Sequence, residues 1–392
     1  MVHQLLPIAA VDFNTLPQQL VLGIGIGAVY ALVALGYTMV YGVLKLINFA
    51  HAEVFMLGAY TALFTAWYLG FSPQSLQALE RESSWLNLLI MLLASMVICA
   101  IIGVIIERFA YRPMRSQPRI AILITAIGVS LLLQYGGALF LPVSPPPSID
   151  ERVNPYRGAY TITLSRPSDR LLGQKEELER QYQESNVAFE KQLEKEKSRF
   201  DLSPQGIALR NAKQEAERAL RKVTDEIAAS GRELKLPRGQ MIMLGATLIL
   251  MLILRHLVLY TRTGRAMRAA SHDFDTASLM GISVDKIVTV TFIIGSALAG
   301  AGAMMQATFI GTPLTTFYGV SLGVKAFVAA VLGGIGNIPG AVLGAMVLAI
   351  AETLVVWADG SKWKDAIAFV ILIAVLLFKP GGLLGSSKVE KV

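Results

Sequence analysis

Long stretches of hydrophobic residues without a charge recur along this 392-residue chain and constrain its fold more than any other feature. A helix needs about 20 apolar residues to cross the hydrocarbon core of a bilayer. The stretches that lack Asp, Glu, Lys and Arg, apart from one Glu in the second, are 16–44, 46–69, 86–106, 120–141, 239–254 and 287–311. Residues 321–378 add a short glycine-interrupted segment and two further spans. We therefore predict an all-α, polytopic membrane protein with about 8–9 transmembrane helices.

Composition agrees with a membrane protein. Hydrophobic residues make up 54% of the chain and charged residues only 16%, whereas a soluble domain is about 25% charged. The single Cys99 excludes an internal disulfide. The net charge of +7 does not indicate nucleic-acid binding, because the basic residues flank apolar spans. The first apolar stretch lacks the basic region that precedes a cleavable signal peptide, so we expect it to stay anchored in membrane lipid.

The distribution of Lys and Arg among the short loops predicts the orientation, because these residues mark the cytoplasmic side. Loop 107–119 contains four arginines and loop 261–286 contains three arginines and a lysine, whereas residues 1–15 and 310–320 contain none. We therefore expect both basic loops inside and the N-terminus outside. The C-terminal tail lies inside if 321–334 crosses the membrane and outside if that segment is re-entrant; we expect it inside.

A charged insertion separates two apolar regions. We divide the chain into an N-terminal transmembrane region at 1–144, the insertion at 145–238 and a C-terminal transmembrane region at 239–392. The insertion holds more than half of the chain's charged residues and opens with the turn-rich segment SPPPSIDERVNPYRG. The orientation above predicts that it is extracytoplasmic.

Two helix-forming stretches follow within the insertion. In the first, apolar residues recur every eleven positions, at Leu171, Tyr182 and Leu193, and again at Leu178, Phe189 and Phe200. In the second, the apolar residues are spaced by three, four and seven, at Leu209, Ala216, Leu220, Val223, Ile227 and Leu234. Pro204 and Gly206 break the helix between them. We predict an antiparallel, coiled-coil hairpin with arms of roughly 40 Å at 1.5 Å per residue, which is either a solvated spacer or a docking arm for an extracytoplasmic partner.

Three charged side chains lie in otherwise apolar stretches: Glu53, Lys325 and Glu352. Ionisable residues within a membrane are paired or functional, so we predict that these three pair with one another. Lys325 and Glu352 flank the segment GGIGNIPG, where glycines and a proline interrupt the helix. Such an interruption either lines a transport pathway or forms a tight turn outside the membrane.

The loop 261–286 has the periodicity of a short amphipathic helix around 265–280, which Gly281 would end. A plain connector needs no such periodicity, so we predict a docking surface. The sequence contains no phosphate-binding G-x-x-x-x-G-K-[ST] pattern, no nucleophile–base pair and no metal-ligand set. We therefore predict a protein that is not an enzyme and has no catalytic residues, no metal and no cofactor.

Several longer motifs resemble one known family. They are YALVALGYTMVYG, INFAHAEVFMLGAY, IERFAYRPMRS, LITAIGVSL, RTGRAMRA, KAFVAAVLGGIGNIPGA and PGGLLG. In this order they are similar to the LivH-type permeases of branched-chain amino-acid ABC importers, over nearly the whole chain except 145–238. The insertion departs from the family, in which this loop is usually much shorter.

The resemblance implies a permease subunit in the bacterial inner membrane that moves branched-chain or other small amino acids. It implies as partners a LivM-like second permease or a second copy of this chain, two cytoplasmic ABC ATPases that hydrolyse ATP, and an extracytoplasmic amino-acid-binding protein. Urea and short-chain amide importers share these motifs, so such a permease is an alternative. A stand-alone channel or secondary transporter is a further one.

The resemblance also implies functional residues. Loop 261–286 becomes the segment that couples to an ATPase, with candidate contacts at Arg265, Arg268, Ala269, Ala270, Leu279 and Gly281. The pathway candidates come from the residue pattern rather than from the resemblance, and they are Asn48, His51, Phe55, Lys325 and Asn337. Asn48, His51 and Phe55 are spaced three and four residues apart and share a helix face, whereas Glu53 points away and is expected to contact another helix.

Overall fold

The computed structural model describes residues 15–71, 85–115, 117–142, 156, 158–165, 168–196, 203–230, 232–311 and 314–385. In chain order the elements are α1 (Leu16–Leu44), α2 (His51–Tyr68), α3 (Trp85–Ile106), α4 (Arg112–Met114), α5 (Arg119–Phe140), β1 (Ala159–Ser165), α6 (Asp169–Glu196), α7 (Pro204–Ser230), β2 (Arg232–Pro237), α8 (Arg238–Tyr260), α9 (Arg262–His272), α10 (Phe274–Leu279), α11 (Val284–Met305), α12 (Tyr318–Gly333), α13 (Ile338–Trp357) and α14 (Lys364–Phe378). Short π-helical turns, Glu107–Tyr111 and Gln306–Ile310, extend α3 and α11. Residues 160–236 and the first described residues, up to Pro17, form one compact unit, and the other helices form another, called here the helical unit.

Six helices of the described chain are long and apolar enough to cross a membrane. They are α1, α3 with its extension to Met114, α5, α8, α11 with its extension to Ile310, and α13. Three shorter apolar helices accompany them: α2 with 18 residues, α12 with 16 and α14 with 15. The predicted helical, polytopic architecture is confirmed, and the number of crossings stays a prediction.

Helix α1 lies at the centre of the helical unit. Its apolar residues do not segregate to one face, and a helix that is apolar all round is buried on all sides. Gly36 permits close approach to α2, since a side chain there would collide with the imidazole of His51. Nearby, α11 packs against α2 and α3. The Ser95 hydroxyl of α3 lies 2.9 Å from the carbonyl oxygen of Gly58 and 2.8 Å from that of Gly300, so small residues bring these helices together.

One end of the helical unit, called here the α9 end, contains both basic loops. The C-terminal part of α1, the end of α8, helix α9 and the turn between α12 and α13 border one cavity there. The backbone of Leu383 donates a 2.7 Å hydrogen bond to Leu332, which brings the segment after α14 to the same end. At the opposite end, the hydroxyl of Tyr60 donates to the carbonyl of Pro142 at 3.0 Å. The described C-terminal residues therefore lie at the α9 end, as expected if 321–334 crosses the membrane.

The GGIGNIPG segment forms the turn between α12 and α13. Gly334 and Gly336 have φ angles of +102° and +94°, a region that favours glycine. The side-chain oxygen of Asn337 accepts a 3.0 Å hydrogen bond from the backbone of Gly340 and caps α13. Its amide nitrogen donates to the carbonyl of Leu384 at 2.8 Å. The segment is therefore a tight turn, and its role in a transport pathway stays a prediction.

The unit of residues 160–236 is a helical hairpin joined by a strand pair. Strand β1 precedes α6, β2 follows α7, and the two strands are hydrogen-bonded neighbours. The helices therefore run antiparallel, and the Lys213 ammonium of α7 lies 5.3 Å from the centre of the Phe189 ring of α6. The strands were not predicted from the sequence, and Leu234, expected in the second helix, lies in β2. The alternation in AYTITLS is the signal that indicates β1. The coiled-coil character and extracytoplasmic side of this unit stay predictions.

Candidate functional site

Lys325 and Glu352 form a buried ion pair. The turn between α12 and α13 brings the two helices side by side. The Lys325 Nζ lies 3.0 Å from Glu352 Oε1, and the side chains are only 9% and 1% exposed. This contact has the distance of an ion pair without the alignment of a hydrogen bond. The other carboxylate oxygen of Glu352 accepts a 2.9 Å hydrogen bond from the hydroxyl of Tyr30 on α1. A buried charge is tolerated when it is paired. Lys325, Glu352 and Tyr30, called here the ionic cluster, connect α12, α13 and α1.

Asp365 is a member of the ionic cluster that the sequence analysis missed. It lies in the first turn of α14, and its carboxylate is 2.7 Å from the Lys325 Nζ. Because 73% of the Asp365 side chain is exposed, water screens this contact. The sequence feature that could have indicated Asp365 is an acidic residue at the start of the last apolar stretch, in SKWKDAIAF. Lys325 thus has one buried and one exposed carboxylate beside it.

Glu53 lies outside the ionic cluster. It is only 1% exposed on α2, and Ser130 of α5 donates a 3.1 Å hydrogen bond to one of its carboxylate oxygens. The second oxygen, Oε2, has no hydrogen-bond partner within the described part of the chain. The predicted pairing of Glu53 with Lys325 or Glu352 is therefore wrong for the described residues, because those two neutralise each other and Glu53 faces α5.

A cavity of about 280 Å³ lies beside Glu53. Helices α2, α5 and α12 border it, together with Tyr37 of α1. Its polar lining consists of Tyr37, Glu53, Ser130 and Gln134, and its apolar lining of Ile47, Phe49, Ala52, Ile127, Leu131, Val320, Val324 and Phe327. We call it the Glu53 cavity. A concave apolar site with a few polar groups has the character of a small-molecule site.

Asn48, His51 and Phe55 lie in the protein core. Asn48 is 2% exposed and accepts a 2.8 Å hydrogen bond from the hydroxyl of Tyr111. The His51 ring packs edge-on against Tyr37, with 4.6 Å between the ring centres, and Phe55 is fully buried. None of the three borders the Glu53 cavity. The expected contact of Glu53 with another helix is present in its hydrogen bond with Ser130 of α5, whereas Asn48, His51 and Phe55 are buried away from the cavity that Glu53 borders. Their pathway role stays a prediction.

A second cavity, of about 410 Å³, lies at the α9 end. Asn337, Arg255 and Arg268 border it. The amide of Asn337 is already engaged as a helix cap. The guanidinium of Arg268 donates to the carbonyl oxygens of Val258 and Leu259, the latter at 3.2 Å, and so satisfies the C-terminal carbonyls of α8. The pathway role of Asn337 and the coupling role of Arg268 therefore stay predictions beside these structural contacts.

The segment after α8 forms two helices, α9 and α10, where one was expected. Asp273 separates them. Its carboxylate accepts backbone hydrogen bonds from Asp275 at 2.9 Å and Thr276 at 3.3 Å, and a 2.6 Å bond from the Thr276 hydroxyl, so it is the N-cap of α10. The Thr276 hydroxyl bond, followed by the backbone bonds, holds the pKa of Asp273 below its usual range. Gly281, with a φ of +81°, follows α10 at the expected position.

The predicted coupling residues of this segment divide into buried and exposed ones. Ala270 is 2% exposed and packs inside the chain, so the expectation that it lies on a docking surface is wrong. Arg265 and Ala269 are exposed. Leu279 is 88% exposed, and Met280, which the sequence analysis did not single out, is 79% exposed. Adjacent exposed apolar side chains are typical of an interaction site.

A polar network that the sequence analysis missed joins the first basic loop to α11. Asp285, at the start of α11, accepts hydrogen bonds from Arg112 and from Arg115, the latter at 2.6 Å. Arg115 also pairs with Glu107, which is 1% exposed and accepts a 2.9 Å hydrogen bond from Thr289. From the sequence, these arginines indicate only the cytoplasmic side of the membrane, because their acidic partner Asp285 lies far along the chain. The network connects the end of the α9–α10 segment to α3.

Comparison with known proteins gives consistent matches. The family model described as branched-chain amino acid transport system / permease component matches residues 19–376. The chain is 33% identical over 375 residues to the high-affinity branched-chain amino acid transport system permease protein LivH of Salmonella typhimurium and of Escherichia coli K12, covering 96% of this chain and 97% of each relative. It is 34% identical, with the same coverage, to the permease protein BraD of Pseudomonas aeruginosa. No solved structure matches the chain.

The family match includes the ionic cluster, the Glu53 cavity and the α9–α10 segment, all of which lie within residues 19–376. The helices around these sites are those of a polytopic membrane protein. Both findings agree with the motifs quoted from the sequence. The chain therefore belongs to the family of permease components of branched-chain amino acid transport systems.

Proposed function

We propose that this chain is the pore-forming permease subunit of an ABC importer that carries branched-chain amino acids across the bacterial inner membrane. LivH and BraD, to which it is similar over 96% of its length, are named for the transport of these solutes. The proposed dependence on an ATPase rests on Leu279 and Met280. Their exposed side chains lie at the end of the α9–α10 segment. A carrier that works alone needs no such docking surface.

In this proposal two cytoplasmic ATPases supply the energy for transport, and this sequence contains no phosphate-binding loop. One of them receives the tip of α10. Displacement of α10 passes to the membrane helices through Asp285, because Arg112 and Arg115 tie the start of α11 to the end of α3. A LivM-like permease or a second copy of this chain completes the pore, and an extracytoplasmic binding protein delivers the solute.

The unit of residues 160–236 lies outside the cytoplasm in this proposal, because the loops on the other side of its flanking spans are rich in arginine. A cysteine in place of Gln183, an exposed residue of α6, is expected to react with a membrane-impermeant thiol reagent in intact cells. Labelling that requires cell lysis would contradict this orientation.

Uptake measurements test the proposed function. Cells that produce this chain with the other subunits of its transport system are expected to accumulate radiolabelled leucine, isoleucine and valine with a dependence on ATP. Leu279→Asp should lower uptake roughly tenfold or more, as for a charge placed in an interface hot spot, without changing the amount of protein in the membrane. Ser283→Asp adds the same charge at an exposed site just beyond α10 and is expected to transport normally.

Two results would favour the alternatives. If the cells accumulate urea or acetamide instead of the three amino acids, the chain is a urea or amide permease rather than an amino-acid permease. Uptake that persists in cells without the ATPase subunits, or in the Leu279→Asp variant, would indicate a stand-alone channel or secondary transporter.

A further inference from the structure

We propose that the Glu53 cavity is a solute subsite of the transport pathway, in which the Glu53 carboxylate binds the ammonium group of an aliphatic amino acid. The class of solute rests on the proposed function. The position of the subsite and the charge it selects rest on the geometry of Glu53 and its neighbours.

The carboxylate of Glu53 is buried but only partly satisfied. The side chain is 1% exposed. Ser130 donates to one oxygen at 3.1 Å, and Oε2 has no hydrogen-bond partner among the residues that the structure describes. A buried carboxylate in this state is unfavourable until donors or a positive charge complete it. An ammonium group supplies both.

The positive charge has to come from a bound molecule. None of the described residues that border the Glu53 cavity is basic. The nearby cation of α12, Lys325, is already placed between Glu352 and Asp365, at 3.0 and 2.7 Å. The cavity is therefore lined by an acid that no basic residue of its described wall neutralises.

The remaining walls fit the rest of an aliphatic amino acid. Ile127, Val324 and Phe327 provide apolar surface, and Gln134 and Tyr37 provide polar groups that can donate to a solute carboxylate. The volume of about 280 Å³ is just below the roughly 300–1,000 Å³ of sites for drug-sized ligands, as expected for a smaller solute. Urea and simple amides offer neither the cation nor the aliphatic chain.

The cavity opens at the surface of the helical unit between α5 and α12. Leu131 and Val320, which border it, are 46% and 40% exposed. A carboxylate inside a cleft that opens to lipid is disfavoured, because such residues face a bundle interior or a hydrated space. The mouth therefore faces the interface with the second permease subunit, where the solute passes.

Transport by the intact complex in proteoliposomes tests the role of Glu53. Glu53→Gln should keep the assembled complex and the ATPase activity that the binding protein stimulates, and should lower leucine uptake roughly tenfold or more, as for loss of a buried charge contact. Glu53→Asp should recover part of the uptake because it keeps the charge. Ser130→Ala is the matched control, since it removes the hydrogen bond to the same carboxylate and keeps the charge, and it should affect uptake less.

Occupancy of the cavity is measured separately with Glu53 intact. Leu131→Cys places a thiol at the cavity, and Leu132→Cys, on the next residue of α5, places one on a side chain that is 69% exposed and does not border it. The native Cys99 is buried, so the unsubstituted chain gives a low background. L-leucine should slow the modification of Leu131→Cys and not of Leu132→Cys. Its analogue without the amine, 4-methylpentanoate, should protect neither.

The outcomes separate this inference from the proposed function. Normal leucine uptake by Glu53→Gln, or equal protection of Leu131→Cys by leucine and 4-methylpentanoate, would overturn the subsite and leave the permease function standing. If the complex with Glu53→Gln does not assemble, the protection of Leu131→Cys relative to Leu132→Cys decides whether the cavity binds leucine. A wild-type complex that transports none of leucine, isoleucine and valine would overturn the proposed function itself.

Discussion

Two carboxylates of the membrane helices, Glu352 and Glu53, are equally buried at 1% exposure, yet their surroundings differ. Glu352 has Lys325 beside one oxygen and the Tyr30 hydroxyl on the other. Glu53 has one hydrogen bond, from Ser130, and an oxygen without a partner among the described residues. Burial alone therefore does not distinguish a structural charge from a functional one. What distinguishes them is whether the protein itself supplies the opposite charge.

The difference follows from the elements that face each residue. Glu352 lies on α13, and the short turn before that helix holds it against α12, which carries the lysine. Glu53 lies on α2 and faces α5, whose contribution at this level is polar but uncharged, at Ser130 and Gln134. The first site joins helices, and the second leaves room for a ligand.

The largest effect on stability is expected from Lys325→Met. It leaves Glu352 buried without a cation, which typically costs about 3–5 kcal/mol. The amount of folded protein in the membrane and the melting temperature in detergent should both fall sharply. Lys362→Met, at an exposed lysine before α14, should leave both unchanged. An unaltered melting temperature for Lys325→Met would remove the reason for treating the pair as structural.

Combining Lys325→Met with Glu352→Gln tests whether the two charges stabilise the protein as a pair. The double variant removes both charges, and replacing a buried pair by uncharged residues is often much milder than breaking it. We expect the melting temperature to recover part of the loss. Uptake by this variant shows whether the pair also contacts the pathway. A double variant that is less stable than Lys325→Met alone would contradict the charge-pairing argument.

A smaller effect is expected from Asp365→Asn. Its carboxylate contacts the same lysine at 2.7 Å, but 73% of the side chain is exposed, so the contact contributes at most about 1 kcal/mol. The melting temperature should fall slightly, and less at high salt because salt screens exposed pairs. A loss as large as that of Lys325→Met would show that Asp365, rather than Glu352, is the principal partner.

The smallest effect on stability is expected from Glu53→Gln. The change removes a buried charge that has no cation beside it, and the amide can still accept the hydrogen bond from Ser130. The melting temperature should therefore stay near the wild-type value or rise, while leucine uptake falls. A drop in melting temperature comparable with Lys325→Met would place Glu53 with Glu352 as a structural charge and abolish the contrast.

The local signals in the sequence predicted much of the molecule. Uncharged stretches predicted the membrane helices, and Pro204 indicated a helix boundary, since α7 begins there, although Gly206 lies within α7. The opposite charges at Lys325 and Glu352, on either side of a glycine-rich turn, indicated which residues lie close together. These features depend on residues near one another in the chain or joined by a short turn.

Other features were wrong or absent in the sequence analysis because they depend on distant partners or on competing local contacts. Asp273 divides the expected single helix, since its carboxylate caps α10. Ala270 packs inward although it was expected on the surface. Asp285 binds arginines from a loop that lies more than 150 residues earlier in the chain. No periodicity within the loop 107–119 or the loop 261–286 indicates these contacts.

The amino-acid sequence locates most of the helices, indicates a membrane protein and carries the family motifs. Which helices are central, and which face of each is buried, depends on the tertiary structure. Helices α1 and α5 are both apolar, yet their most hydrophobic windows are 72% and 17% buried. In water a polar stripe reveals the exposed face of a helix. In a bilayer the lipid is as apolar as the protein core, so the exposed face of a helix has no polar stripe. The surroundings of Glu53 therefore become visible only when α2, α5 and α12 are packed together.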